Sequence, residues 1–198
     1  MLPIALSNLV APMSKTVLIP LAPGFEEIEA VTLIDVLRRA GVHVTICSLG
    51  DGLAQSVTGA HGIEISTDAS LGEMRVGDLL SIVLPGGLPG ATNLREDSML
   101  RGLLQAVHKD GGLVAAICAA PIVLGSAGLL EGLQATCYPG FEKDLGAAEV
   151  LSDAPVVRSG RVWTSRGPGT ALEFGLALVA EFAGQGQADE LRAGMLVG

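Results

Sequence analysis

The chain holds three cysteines, at 47, 118 and 137, and one of them stands where backbone geometry favours reactivity. Cys118 follows the continuous apolar run Leu113–Ile117 and precedes Ala119, Ala120 and Pro121, an order that predicts a buried strand turning sharply into a helix. A thiol at that junction meets the positive end of the helix dipole, which favours thiolate over thiol and makes the sulfur a nucleophile. The same position also suits a small apolar core residue, a role that buried cysteines often fill. Cys47 falls inside a strand-like run and reads as filler, while Cys137, at the end of a later strand, could face core or cleft.

Addition of sulfur to a carbonyl carbon needs two further parts, donors for the developing oxyanion and a group that moves protons. Adjacent glycines at Gly86 and Gly87 let the backbone approach a neighbour closely, so the N–H groups of Gly87 and Ala119 are candidate oxyanion donors if they converge near Cys118. A glycine pair by itself is equally a tight turn. Glu29 is flanked by apolar Ile28, Ala30 and Val31 one turn into a helix, where desolvation should raise a carboxyl pKa and suit it to act as acid or base. Glu26 and Glu27 read as solvent-facing residues that cap that helix.

These residues need a scaffold that brings the ends of separate strands together. Thr16–Ala22 reads as a buried strand stopped by Pro23-Gly24, and residues 26–40 as a helix with Ile28, Val31, Leu33, Ile34 and Leu37 at helical spacing. A second strand over Val42–Ser48 follows, so strand, helix and strand make a right-handed crossover onto a parallel sheet. Residues 55–66 suggest a small hairpin. Leu79–Leu84 is a further strand, turned by Pro85–Gly90, and Asp97–Asp110 a helix stopped by Gly111-Gly112. Later short strands are expected at Gln134–Cys137 and Arg161–Thr164, then helices over Gly169–Ala183 and Ala188–Met195. In such an open sheet, reactive groups collect where strands end and helices begin.

Composition narrows the classes. With 198 residues, 49% hydrophobic and 17% charged, the chain is suited to a packed α/β core; we expect one domain over 15–198 preceded by a flexible arm over 1–14. Twelve basic against twenty-one acidic residues give a net charge of -9, a field that repels nucleic acid and anionic membranes. Apolar runs are broken by Gly, Pro or charge before the roughly 20 residues a bilayer span needs. Three cysteines without disulfide or C-x-x-C spacing fit a reducing, cytoplasmic location, and the cysteines and histidines lack the close spacing of a zinc site.

Four segments together carry a likeness. Leu21–Ala30, Val83–Gly87, Ala115–Pro121 and Thr164–Thr170 resemble the DJ-1/ThiJ/PfpI superfamily, and its DJ-1 branch in particular. That resemblance implies a flavodoxin-like three-layer α/β sandwich with a mostly parallel sheet, like that of class I glutamine amidotransferases, and a homodimer. It implies Cys118 as an oxidisable nucleophile, Glu29 as its partner acid and general acid/base, and Gly87 and Ala119 as backbone donors. Gly86 and Tyr138 would lie beside the substrate, and residues 166–169 would border the site. Tyr138 stands where many such proteins have a histidine; a phenol is a poor general base at neutral pH, so the proton work falls to Glu29. A peripheral cysteine of some animal members is replaced by Gly59.

The activity implied is a cofactor-independent, metal-free glyoxalase reaction on small reactive aldehydes, with deglycation of glycated substrates as a possible extension. The alternative is a non-catalytic redox sensor or redox-regulated chaperone that works by oxidation of Cys118. Two other branches of the fold fit less well. The protease branch has a histidine where this chain has Ala119, and the amidotransferases need a late His and Glu pair that residues 163–169 lack.

Overall fold

The apolar runs without a helical or alternating period become the inner strands of one sheet, because strands covered on both faces have no polar side to display. The computed structural model describes residues 15–52, 55–146 and 148–198; the expected arm over 1–14 lies outside them. The first half contains β1 (Thr16–Leu21), α1 (Glu27–Arg39), β2 (Val44–Ser48), β3 (Ser56–Thr58), β4 (Glu64–Ser66), β5 (Ala69–Ser70), β6 (Leu79–Leu84), α2 (Gly90–Glu96) and α3 (Ser98–Lys109). The second contains β7 (Leu113–Ile117), α4 (Pro121–Ser126), β8 (Gln134–Ala135), β9 (Glu149–Val150), β10 (Val156–Ser159), β11 (Val162–Ser165), α5 (Ala171–Ala183) and α6 (Gln185–Gly194).

Seven strands form the central sheet in the order β10-β11-β7-β6-β1-β2-β5, parallel except for β10. The step from β1 to β2 and the step from β6 to β7 run in opposite directions across the sheet. Right-handed crossovers therefore put α1 on one face and α3 on the other. Helix α5 packs on α1, and α4 joins α2 and α3, completing an α/β sandwich of three layers. The strand order reverses between β1 and β6, which opens a crevice at their carboxyl ends. The loops after β1, β6 and the neighbouring β7 supply Phe25–Glu29, Pro85–Gly90 and Cys118–Ala120.

Several expectations shift. In α1 the buried stripe runs through Glu29, Ala30, Leu33, Ile34 and Leu37, whereas Ile28 and Val31, expected to share the core face, are 58% and 48% exposed. Pro85–Gly90 does not simply turn the chain but leads into α2. Strand β8 ends at Ala135 and pairs with β9 outside the main sheet, and β10 fills the edge that the sequence left empty. Both β5 and β10 are two to four residues long, too short for a period to register. The hairpin expected over 55–66 is present as the antiparallel pair β3–β4. No helix among the described residues is long and apolar enough to cross a membrane.

Helix α3, which covers β6 and β7 beneath the site, begins at an N-cap. The Asp97 carboxylate accepts the Leu100 N–H at 2.8 Å, satisfying a donor that the first turn leaves free. Asp97→Ala is expected to lower unfolding stability by ~1 kcal/mol in urea titrations, and Asp97→Asn to keep most of it; equal losses in both would show that the cap contributes nothing.

Candidate active site

Cys118 has φ +64, a left-handed conformation that side-chain-bearing residues seldom adopt. Its N–H donates to Ser165 O at 2.9 Å, and its carbonyl accepts the Tyr138 N–H at 2.8 Å. Backbone on both sides thus holds the elbow. Contrary to the expectation of a helix beginning at the cysteine, α4 starts three residues later, at Pro121, and is six residues long, so Cys118 is not seated on a helix terminus. The sulfur instead receives the N–H groups of Ala119 and Gly87, the two donors expected from sequence. The residue is 9% exposed.

Glu29 comes from the first turn of α1 and is wholly buried. Its Oε2 accepts the Gly86 N–H at 2.8 Å. Oε1 is buried without a nitrogen or oxygen partner, and the group in hydrogen-bonding relation to this carboxyl is the Cys118 side chain. Gly86 is what allows the two to meet. A Cβ there would lie 2.7 Å from Cys118 Cβ, 2.8 Å from Glu29 Oε2 and 2.9 Å from Ile117 O, so any side chain would part the pair. At Gly87, φ is +92 and a Cβ would lie 2.3 Å from the Glu26 nitrogen, which leaves glycine as the residue that can aim this N–H at sulfur.

The electrostatics overturn a second expectation, that nearby main-chain dipoles keep the sulfur ionised. Burial pushes the Glu29 carboxyl up to about 7, against lowering by its hydrogen bonds to Cys118 and Gly86. Burial also pushes the Cys118 thiol up to about 12, reinforced by the Glu29 charge and hydrogen bond, and the N–H groups of Ala119 and Gly87 only partly offset this. Groups coupled this closely titrate as a pair. Between about 7 and about 12 the pair holds one proton. The carboxyl is the more acidic member of the pair, and the two N–H donors on sulfur against one on the carboxylate narrow the cost of passing the shared proton to Glu29 and the charge to sulfur. Cys47 and Cys137 are raised to about 12 and about 11, chiefly by burial, and have no acid partner of this kind.

The first turn of α1 also differs from its reading as a solvated cap. Glu27 is buried, and its Oε1 accepts the N–H groups of His61 at 2.6 Å and Ile63 at 3.5 Å. Its Oε2 is 2.8 Å from His61 Nδ1. Burial would raise this carboxyl, but the His61 and Ile63 hydrogen bonds outweigh it and hold Glu27 below the usual carboxylate range. Glu27 therefore fastens the β3–β4 hairpin beside the crevice. A Cβ at Gly59 would lie 2.4 Å from Glu27 Oε1, so the space of a cysteine at that position is occupied by this carboxylate. Glu26, Glu27 and His61 bring one ligand atom each within 4.8 Å of one another, a grouping that spacing in the sequence does not reveal because the hairpin folds back onto α1. Tyr138 is 47% exposed beside the elbow; with Arg166, Gly167 and Pro168 it lines a depression of about 270 Å3.

A buried carboxyl whose value is raised on folding stabilises the native state fully below its ordinary value of 4.5, and that contribution is lost as pH climbs to about 7. Glu29→Gln keeps the shape and the Gly86 contact without this loss. Its thermal midpoint should therefore exceed that of the wild type above neutrality by a few degrees, on the order of 2 kcal/mol, with the gap closing in mild acid. A gap independent of pH would contradict the raised carboxyl.

Residues 15–181 match the DJ-1/PfpI family. The chain is 42% identical over 186 residues to protein dj-1beta of Drosophila melanogaster, covering 93% of this chain and 98% of that one. The crystal structure of Drosophila melanogaster DJ-1beta superposes with a TM-score of 0.88, covering 94% of this chain and all of that one at 42% identity. The chain is also 36% identical over 178 residues to the glutathione-independent glyoxalase DJR-1.2 of Caenorhabditis elegans, covering 89% and 94% of the two chains. A match across the elbow, the glycine pair and the first helix alike places this chain in the DJ-1/PfpI family.

Proposed function

We propose that the chain is a glutathione-independent glyoxalase that converts methylglyoxal to lactate and glyoxal to glycolate through a hemithioacetal on Cys118. The observation that carries this reading is the Glu29 carboxyl buried against the Cys118 sulfur, with one proton between them. Sulfur adds to the aldehyde carbon, and the new oxyanion is met by the Gly87 and Ala119 N–H groups and takes the Glu29 proton. Glu29, now a carboxylate, removes the hydrogen on that carbon to give an enediol and returns it to the neighbouring carbon, leaving a thioester. Water cleaves the thioester to the hydroxy acid and restores the thiol pair. The aldehyde carbon is oxidised and the ketone carbon reduced, so no external redox partner is consumed. A glycated thiol or amine would enter by the same attack, which is how a deglycase activity would arise.

Two features bear on its setting. Ile28 and Val31 on α1 expose an apolar face beside Ile63 of the hairpin, and a second copy docking there would make the homodimer. Three thiols that remain unpaired fit the reducing cytoplasm.

The redox-sensor reading draws on the same geometry, because two N–H donors and a protonated carboxyl would also stabilise a sulfinate at Cys118. Chiral assay of lactate formed from methylglyoxal separates the two. Enzyme action requires lactate from the wild type, none from Cys118→Ser, and turnover reduced by about 10²–10⁴-fold in Glu29→Gln; a wild type that forms sulfinate readily and no lactate would leave the sensor. The rate should fall as pH drops through about 7, because the pair then takes up a second proton and its thiolate is quenched. A pH–rate profile flat across that range would count against Glu29 as the proton carrier.

A further inference from the structure

A hemithioacetal on Cys118 engages only the aldehyde end of the substrate; the other end must meet a different part of the surface. We infer that the depression walled by Tyr138 and Arg166 is an acid-recognising subsite, and that the preferred substrates are α-oxo aldehydes bearing a carboxylate or similar anionic group; this rests on the glyoxalase reading.

One wall, Tyr138, and the residue that precedes the other are each hydrogen-bonded through the backbone to Cys118. Tyr138 N–H donates to the Cys118 carbonyl at 2.8 Å, and the Cys118 N–H donates at 2.9 Å to the carbonyl of Ser165, the residue before Arg166. The depression of about 270 Å3 has Pro139 and Pro168 as apolar lining. One liquid water takes about 30 Å3, so the space admits a chain of several heavy atoms beyond the aldehyde. The Tyr138 ring lies along Gly167, where a Cβ would be 3.2 Å from ring carbon Cδ2, and this contact shapes the wall.

Arg166 is the cation of this depression. Among the described residues it has no carboxylate within ion-pair distance, although it is close enough to act on the Cys137 thiol. Glu142 and Asp144 face the same thiol, but the Glu142 Oε2 already accepts the Gly140 N–H at 2.9 Å. A guanidinium without a partner, on the rim of a cleft with apolar walls, presents its fork of donors to a carboxylate or phosphate. The local cation matters more because the chain as a whole carries -9 and would otherwise repel an anion. Tyr138, 47% exposed in the same lining, brings a hydroxyl as a neutral donor.

The test compares γ,δ-dioxovalerate, an α-oxo aldehyde with a carboxylate tail, with neutral methylglyoxal. The first adds water to become α-hydroxyglutarate by the same internal redox exchange. The ratio of their kcat/KM values is expected to fall about tenfold in Arg166→Gln and to recover in part in Arg166→Lys. Independently of turnover, the ratio of Cys118 alkylation rates by iodoacetate and iodoacetamide should fall in the same variant. Ratios that Arg166→Gln leaves unchanged overturn the subsite, even if methylglyoxal is turned over. A wild type that turns over neither aldehyde, yet whose alkylation ratio depends on Arg166, would sink the glyoxalase reading and keep the anion site.

Discussion

Two acids of different kinds, a thiol and a carboxylic acid, are buried so close that both cannot ionise, and most of the crevice is arranged around that constraint. Glu29 is fully enclosed, where a bare carboxylate is costly, and it keeps a proton that an exposed glutamate would lose at neutral pH. Cys118 is held by neighbouring backbone in a conformation few non-glycine residues adopt, with two N–H donors on its sulfur. Neither group alone makes a neutral-pH nucleophile. Together they share one proton above about 7, and its passage to Glu29 leaves the negative charge on a sulfur that can attack.

The fold supplies the meeting point. Reversal of strand order between β1 and β6 opens the crevice, and β7 beside them delivers the elbow. Gly86 sits where the three loops touch, its N–H spent on Glu29 and its missing side chain leaving room for Cys118. The glycine at 86 is thus a positioning element for the pair, while its neighbour Gly87 faces the sulfur.

Much of this was legible in the sequence because strand ends in a parallel sheet restrict which residue types can stand there. The apolar run before Cys118 and the carboxylate inside an apolar helix turn marked candidate positions, while the double glycine after β6 gained meaning only beside the cysteine and the family likeness. What failed was whatever depended on another element's position. Cys118 was read against a helix dipole, but the first turn after it is not yet α4. Ile28 and Val31 have the hydrophobicity of core residues, and helical spacing does not say which of two apolar stripes faces the sheet. Glu27 looked like a solvated cap because the hairpin that engages it lies more than thirty residues away in sequence. The acidic and histidine grouping at residues 26, 27 and 61 was hidden for the same reason. Membership of the DJ-1/PfpI family, by contrast, was carried by local motifs and needed no tertiary knowledge.

The shared proton is tested most directly by following thiolate absorbance in the ultraviolet against pH, with Cys118→Ser as the blank. Cys47 and Cys137, raised to about 12 and about 11, stay silent through the neutral range. The account predicts one thiolate per chain in mild alkali, lost in Cys118→Ser, and disappearing on acidification with a midpoint near or below about 7 as the pair takes up its second proton. A thiolate absent in mild alkali and emerging only toward about 12 would mean that Glu29 keeps the charge and Cys118 its proton, contradicting the central claim.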